Sequence, residues 1–176
     1  MARAASPQAT TLTQATAPLT AANARPPETS ALLQKVEQLL QAEGPQKAFE
    51  LLARSKDNSP WVTNARGVCL LRLGEAARAV DLFRGLVLGA GGLCLRQDVP
   101  TVFKTNFATA LLLTGNLAGF LSALGDTHDK GHPAVQRLGA ALGRWRAGLS
   151  FWEKVRWYLG GEVGRPVTLD FPPGDL

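Results

Sequence analysis

Paired helical stripes broken by glycine set the strongest limit on how this 176-residue chain can fold. Leu32, Leu33, Val36, Leu39 and Leu40 recur at three- and four-residue spacing, which puts them along one face of a helix that Gly44-Pro45 ends. A second helix follows at once, with Ala48, Phe49, Leu51 and Leu52 as its buried face. The next pair opens on Ser59-Pro60, an N-cap followed by proline at the first helical position. It runs through Leu70, Leu71 and Leu73, breaks at Gly74, and returns through Ala79, Val80, Leu82, Phe83, Leu86 and Val87. The third pair starts near Asp98-Val99-Pro100, continues through Phe103, Phe107, Ala110, Leu111 and Leu112, turns at Gly115-Asn116 and returns through Phe120, Leu121 and Leu124. The one period-two stretch, Val167, Leu169 and Phe171, comes too late and stands too alone to organise a sheet. An all-α fold is expected.

Hydrophobic residues make up 45% of the chain and charged residues 19%, so apolar faces must be packed on something and disorder of the whole chain is excluded. Residues 1–28 are the exception. Met1 to Pro27 holds nine Ala, five Thr and four Pro, with Leu12 and Leu19 as its sizeable apolar side chains after Met1, and reads as a disordered tail. It lacks the apolar run of a signal peptide, and no apolar run in the chain approaches the roughly 20 residues that span a bilayer. Cys69 sits in an apolar helical run and Cys94 in a Gly-rich connection, which suggests neither a disulfide framework nor a thiolate metal site. A reducing compartment, the cytoplasm, is the expected location.

Hairpins of this size cannot each bury their own stripe, and stacking them side by side creates a continuous core. In the best unit Gly67 and Leu70 lie on the first helix, Gly74 makes the turn and Ala79-x-x-x-Phe83 lies on the second. This unit resembles the tetratricopeptide repeat, in which a small residue lets paired helices approach while an aromatic fills the space below. The next unit places Ala108, Leu111, Gly115 and Leu124 similarly, with Phe120 where a small residue is usual. Gly67 to Ala108 spans 41 residues (108 − 67) rather than about 34, because residues 89–95 lengthen the connection. A fourth unit is legible in Val135-x-x-Leu138-Gly139-x-x-Leu142, with Ser150-Phe151-Trp152-Glu153 as a capping box opening its second helix. The resemblance implies a tetratricopeptide-like helical solenoid of three to four repeats over 29–159, with hairpins at about 29–56, 59–89, 98–125 and 133–159. Residues 160–176 form an extended tail that either folds back onto the helices or is itself a linear ligand.

Members of that family act as scaffolds rather than catalysts: first helices line a concave groove that holds a peptide or helix of a partner. The resemblance therefore implies a non-catalytic adaptor binding another protein, without cofactor or metal. Polar candidates on first helices are Trp61, Asn64 and Arg72, then Lys104, Thr105 and Asn106, then Arg137. Some chaperone-binding members clamp a partner's terminal carboxylate with Lys and Asn, then Asn, then Lys and Arg. Asn106 and Arg137 stand at the middle Asn and last Arg positions, whereas Asn64, Val68 and Pro133 hold the rest.

A second surface competes for attention. Residues 133–159 carry Arg137, Arg144, Arg146, Lys154 and Arg156 against Glu153, a net +4 of the chain's +5, beside Trp145, Trp152 and Trp157. Leu138, Leu142, Trp145, Leu149 and Trp152 step by four and three along one helical surface. That stripe either packs on the preceding hairpin and caps its end, or, with Arg144, Arg146, Lys154 and Arg156, forms a basic aromatic patch for a membrane surface or nucleic acid. His128 and His132 with Asp126 and Asp129 lie in a polar connection where turn residues are expected, with no further ligand placed to complete a metal site. Gly89-Ala90-Gly91-Gly92 lacks the Gly-Lys-Ser/Thr of a phosphate loop and follows no strand.

Overall fold

The computed structural model describes residues 27–176 except 90, 93 and 162, so most of the expected disordered tail lies outside the described residues. Eight helices follow in order: α1 Pro27–Ala42, α2 Pro45–Arg54, α3 Pro60–Arg72, α4 Ala76–Val87, α5 Thr101–Leu113, α6 Leu117–Asp126, α7 Pro133–Ala147 and α8 Phe151–Tyr158. Among the described residues there is no strand, only an isolated antiparallel bridge between Leu88 and Leu95 that pinches the Gly-rich connection. The all-α expectation holds.

Local chemistry starts the helices where the side chains can cap them. The Ser59 hydroxyl accepts from the Val62 N–H at 3.4 Å with Pro60 in the first turn of α3. At α8, Ser150 and Glu153 form the expected reciprocal capping box, and the Ser150 backbone N–H holds the Glu153 carboxyl below its ordinary range. α3 and α5 end alike: the Glu75 N–H donates to Leu70 O and the Asn116 N–H to Leu111 O, both at 2.9 Å. Gly74 at φ 82° and Gly115 at φ 79° take the left-handed conformation that this wrap-around needs. Two 13-residue helices, each followed by the same turn, are the clearest internal repetition in the chain.

Each helix packs on its successor from α1 to α6, and the odd helices also touch in sequence, α1 on α3, α3 on α5 and α5 on α7. The core lies between these layers. Leu33, Val36, Ala48, Leu52, Val62, Ala65 and Cys69 fill the first part. A larger cluster from Val68 through Phe83, Phe103, Phe107 and Phe120 to Leu138 fills the rest. Gly67 is indispensable to the α3–α4 contact: a Cβ there would lie 2.4 Å from Cζ of the fully buried Phe83.

Arg66 ties the first two hairpins together, a role its sequence position did not announce. Its Nη2 donates to the carbonyls of Leu52, Ser55 and Asp57 at 3.0, 3.4 and 3.4 Å, capping the end of α2 and the loop behind it. The Asp57 carboxylate in turn accepts from the Ser59 N–H and the Thr29 hydroxyl, linking α1 to the start of α3. No helix among the described residues is long and apolar enough to cross a membrane.

Candidate functional site

The face formed by α3, α5 and α7 carries the polar residues Asn64, Arg72, Asn106 and Arg137, and the chain's own C-terminal tail meets them. Residues 163–176 have no helix or strand and fold back across the three helices, with Val167, Leu169, Phe171 and Leu176 packed against the core. Of the two fates open to this tail, it takes the first and folds back onto the helices.

On α3, Asn64, Val68, Leu71 and Arg72 lie at i, i+4, i+7 and i+8, one stripe toward the tail. Asn106 on α5 is the centre. Its Oδ1 accepts from the Asp175 N–H at 2.9 Å, and its Nδ2 donates to the Asp175 carbonyl at 2.7 Å and to Asn64 Oδ1 at 2.9 Å. Asn64 Nδ2 reaches the same carbonyl at 3.4 Å. Because a main-chain N–H must meet an oxygen, the Asp175 amide fixes which way the Asn106 side chain faces. Both asparagines are 1% exposed, so these bonds satisfy groups withdrawn from water.

The rest of the site is cationic. Arg72 donates from Nε to the Pro173 carbonyl at 3.3 Å and from Nη2 to the Gly174 carbonyl at 3.1 Å. Arg137 on α7 pairs with the Asp175 carboxylate, and its guanidinium lies 5.3 Å from the centre of the Phe171 ring. Gly174, buried at φ 81°, presses so close that a Cβ would lie 3.1–3.3 Å from the methyls of Val68 and Leu71. Upstream, Arg144 pairs with Asp170 at 2.6 Å and Trp145 Nε1 donates to the Arg165 carbonyl at 3.0 Å.

Asn64, Arg72, Asn106 and Arg137 therefore converge on one short segment, 173–175. The other three first-helix candidates are placed differently. Trp61 packs edge-on against Phe103 at 4.9 Å between centroids. Thr105 is buried and its hydroxyl donates to the Val102 carbonyl of its own helix at 3.0 Å, which satisfies it locally. Lys104 is 4% exposed, and burial pushes its ammonium below the ordinary lysine range. Position on a first helix was thus not sufficient to place a side chain at the tail.

The C-terminal patch also divides. Trp145 is a correction to the reading of an exposed aromatic surface: it is 8% exposed, and Leu138 and Leu149 on the same stripe are buried with it. The stripe is core up to the break at Gly148. Beyond it, α8 has no buried residue, and Phe151, Trp152, Tyr158 and Leu159 are 70–84% exposed. Arg146 stacks over the Trp157 ring at 4.5 Å, leaving Lys154 and Arg156 on the exposed helix.

Elsewhere the polar residues serve turns. His132 caps α7, its Nδ1 accepting from the Ala134 N–H at 3.2 Å, and His128 Nδ1 sits 3.0 Å from the Asp126 carbonyl. Among the described residues no group of three or more His, Cys, Asp or Glu is gathered for a metal ion. Both cysteines are free; burial raises the Cys69 thiol to about 11, which keeps it protonated and unreactive at neutral pH. No protein-family model, no curated protein and no solved structure matches the chain.

Proposed function

We propose that this protein is a non-catalytic adaptor of tetratricopeptide type, working in the cytoplasm, that holds an extended segment of a partner protein in the groove along α3, α5 and α7. Side-by-side odd helices, of which α1, α3 and α5 are each backed by the even helix that follows, and the Gly67–Phe83 contact support the repeat reading. One observation carries the function: side chains from three odd helices, Asn64 and Arg72 on α3, Asn106 on α5 and Arg137 on α7, bind the main chain and one carboxylate of a single irregular segment. Main-chain hydrogen bonding supplies affinity for any extended peptide, and flanking pockets supply selectivity. Two free cysteines, one of them exposed, suit a reducing compartment.

The test is affinity capture with the intact protein beside a variant carrying Asn64→Ala, Arg72→Ala and Arg137→Ala together. A partner retained by the first, lost by the second and photo-crosslinked to the groove through an extended segment supports the adaptor. A partner indifferent to all three changes refutes it.

A second reading draws on α8. Four large apolar side chains more than two-thirds exposed on a helix that also presents Lys154 and Arg156, with a cavity of about 360 Å³ beside Arg146 and Lys154, fit an anionic lipid surface. On this reading the adaptor docks peripherally through α8 while the groove stays free. Co-sedimentation with phosphatidylserine vesicles at low salt tests it; recovery of Trp152→Ser/Tyr158→Ser in the pellet at the wild-type level counts against it.

A further inference from the structure

We infer that the groove selects a segment of the form Gly-acidic-Leu with a left-handed turn at its glycine, and that residues 171–176 of this chain occupy it as a built-in competitor that a partner segment of the same chemistry must displace. The inference rests on the adaptor reading and specifies its ligand.

Each position of the segment meets a distinct requirement. Asn106 engages both the N–H and the C=O of Asp175, which point to the same side only in extended backbone. The position before it favours glycine, because a side chain is strained at its φ of 81° and a Cβ would press on the methyls of Val68 and Leu71 at 3.1–3.3 Å. Arg137 asks for a carboxylate at the next position and for an aromatic ring four residues earlier, as Asp175 and Phe171 provide. Leu176 then packs against both parts of the core. Arg72 reads only carbonyls and tolerates any residue at 173.

The same contacts make the occupant removable. No backbone–backbone hydrogen bond ties residues 163–176 to the helices among the described residues, so release breaks side-chain contacts and leaves the helical ladders intact. The Arg137–Asp175 pair is itself half-exposed and weak in salt. A tethered segment acts at an effective concentration of about 1 mM. A groove with a dissociation constant of about 0.1 mM for the free segment therefore binds added peptide about tenfold more weakly while its own tail is seated.

The experiment measures fluorescence anisotropy of a labelled, C-terminally amidated peptide with the sequence of residues 168–176, titrated with full-chain protein. Gly174→Ala in the protein strains the seated tail at its left-handed position and against Val68 and Leu71 while leaving the helix sequences unchanged, and is expected to tighten peptide binding about tenfold over wild type. Adding Asn106→Ala to that variant should abolish the gain, and a peptide carrying Ala for its glycine should not bind either protein. Equal binding by wild type and Gly174→Ala, no binding by Gly174→Ala up to 1 mM, or equal binding of the alanine peptide each overturns the inference. A captured partner that depends on Asn64, Arg72 and Arg137 yet is not competed by the peptide leaves the adaptor reading standing without this ligand. Peptide binding as described, with no partner that depends on those residues, leaves the ligand standing without the adaptor.

Discussion

Replacing Gly67 by Ala should destabilise the protein, although the same change elsewhere on a helix should stabilise it. At Gly67 a new Cβ would lie 2.4, 2.6 and 3.0 Å from Cζ, Cε1 and Cε2 of Phe83, a ring with no solvent exposure into which to retreat. Carbon atoms settle about 3.5–4.0 Å apart, so α3 and α4 must separate by about 1 Å or the ring must leave its rotamer. Overpacking of this kind costs about 1–3 kcal/mol. Alanine's better helix propensity returns about 0.5–1 kcal/mol, leaving a net loss of up to about 2.5 kcal/mol, centred on about 1 kcal/mol. At about 2–4 °C per kcal/mol for a chain this long, that central loss lowers the thermal midpoint by about 2–4 °C. Gly139, inside α7 with nothing within 4 Å of its would-be Cβ, is the control: Gly139→Ala should stabilise by about 0.4–1 kcal/mol. Calorimetric or circular-dichroism melts of both variants read the sign directly. Phe83→Leu made in the Gly67→Ala background should cost about 1 kcal/mol less than it does alone, because the smaller side chain relieves the clash. A Gly67→Ala protein as stable as Gly139→Ala would refute the close α3–α4 contact.

Two further outcomes concern charged side chains set into the fold. Arg66→Ala removes the Nη2 donor shared by the Leu52, Ser55 and Asp57 carbonyls and should lower stability by about 1 kcal/mol in urea denaturation, with Arg66→Lys recovering less than half because the shorter side chain also gives up the Nη1 contact to Asn58. Lys104 is held in the fold at a cost to its charge, so its folded pKa lies below the ordinary value of 10.5. That penalty is complete below the folded pKa and gone above 10.5, and stability should therefore rise with pH across that interval. Lys104→Met should remove this slope and stabilise the protein at pH 7; an unchanged slope in the variant would assign it to another group.

Much of the fold was legible because the contacts that start and stop these helices are short in sequence. Ser59 with Val62 and Ser150 with Glu153 span three residues each, and the Gly74 and Gly115 turns close within five. The apolar periodicity likewise identified Phe83 and Phe120 as buried. What could not be read was which polar groups the chain would bring together across long separations. Asn64 and Asn106 are 42 residues apart, and Asp175 lies 69 residues beyond the second. Their positions on first helices suggested a groove, yet nothing local distinguished Asn106 from Thr105, which turns its hydroxyl back onto its own helix. The one hint of an occupant was the alternation of Val167, Leu169 and Phe171, which left open that the tail folds back onto the helices. Trp145 and Trp152 sat on one stripe in the sequence; the break at Gly148 sends one into the core and the other to solvent.

Amide hydrogen exchange at Asp175 probes the seated segment most directly. Its N–H donates to a side-chain oxygen that is almost wholly withdrawn from water. In the wild-type protein it should exchange markedly more slowly than an unstructured amide, and Asn106→Ala should return it to the unprotected rate while amides within α3 and α5 keep their protection. An Asp175 amide that exchanges at the unprotected rate in the wild-type chain would contradict a groove built to hold extended backbone.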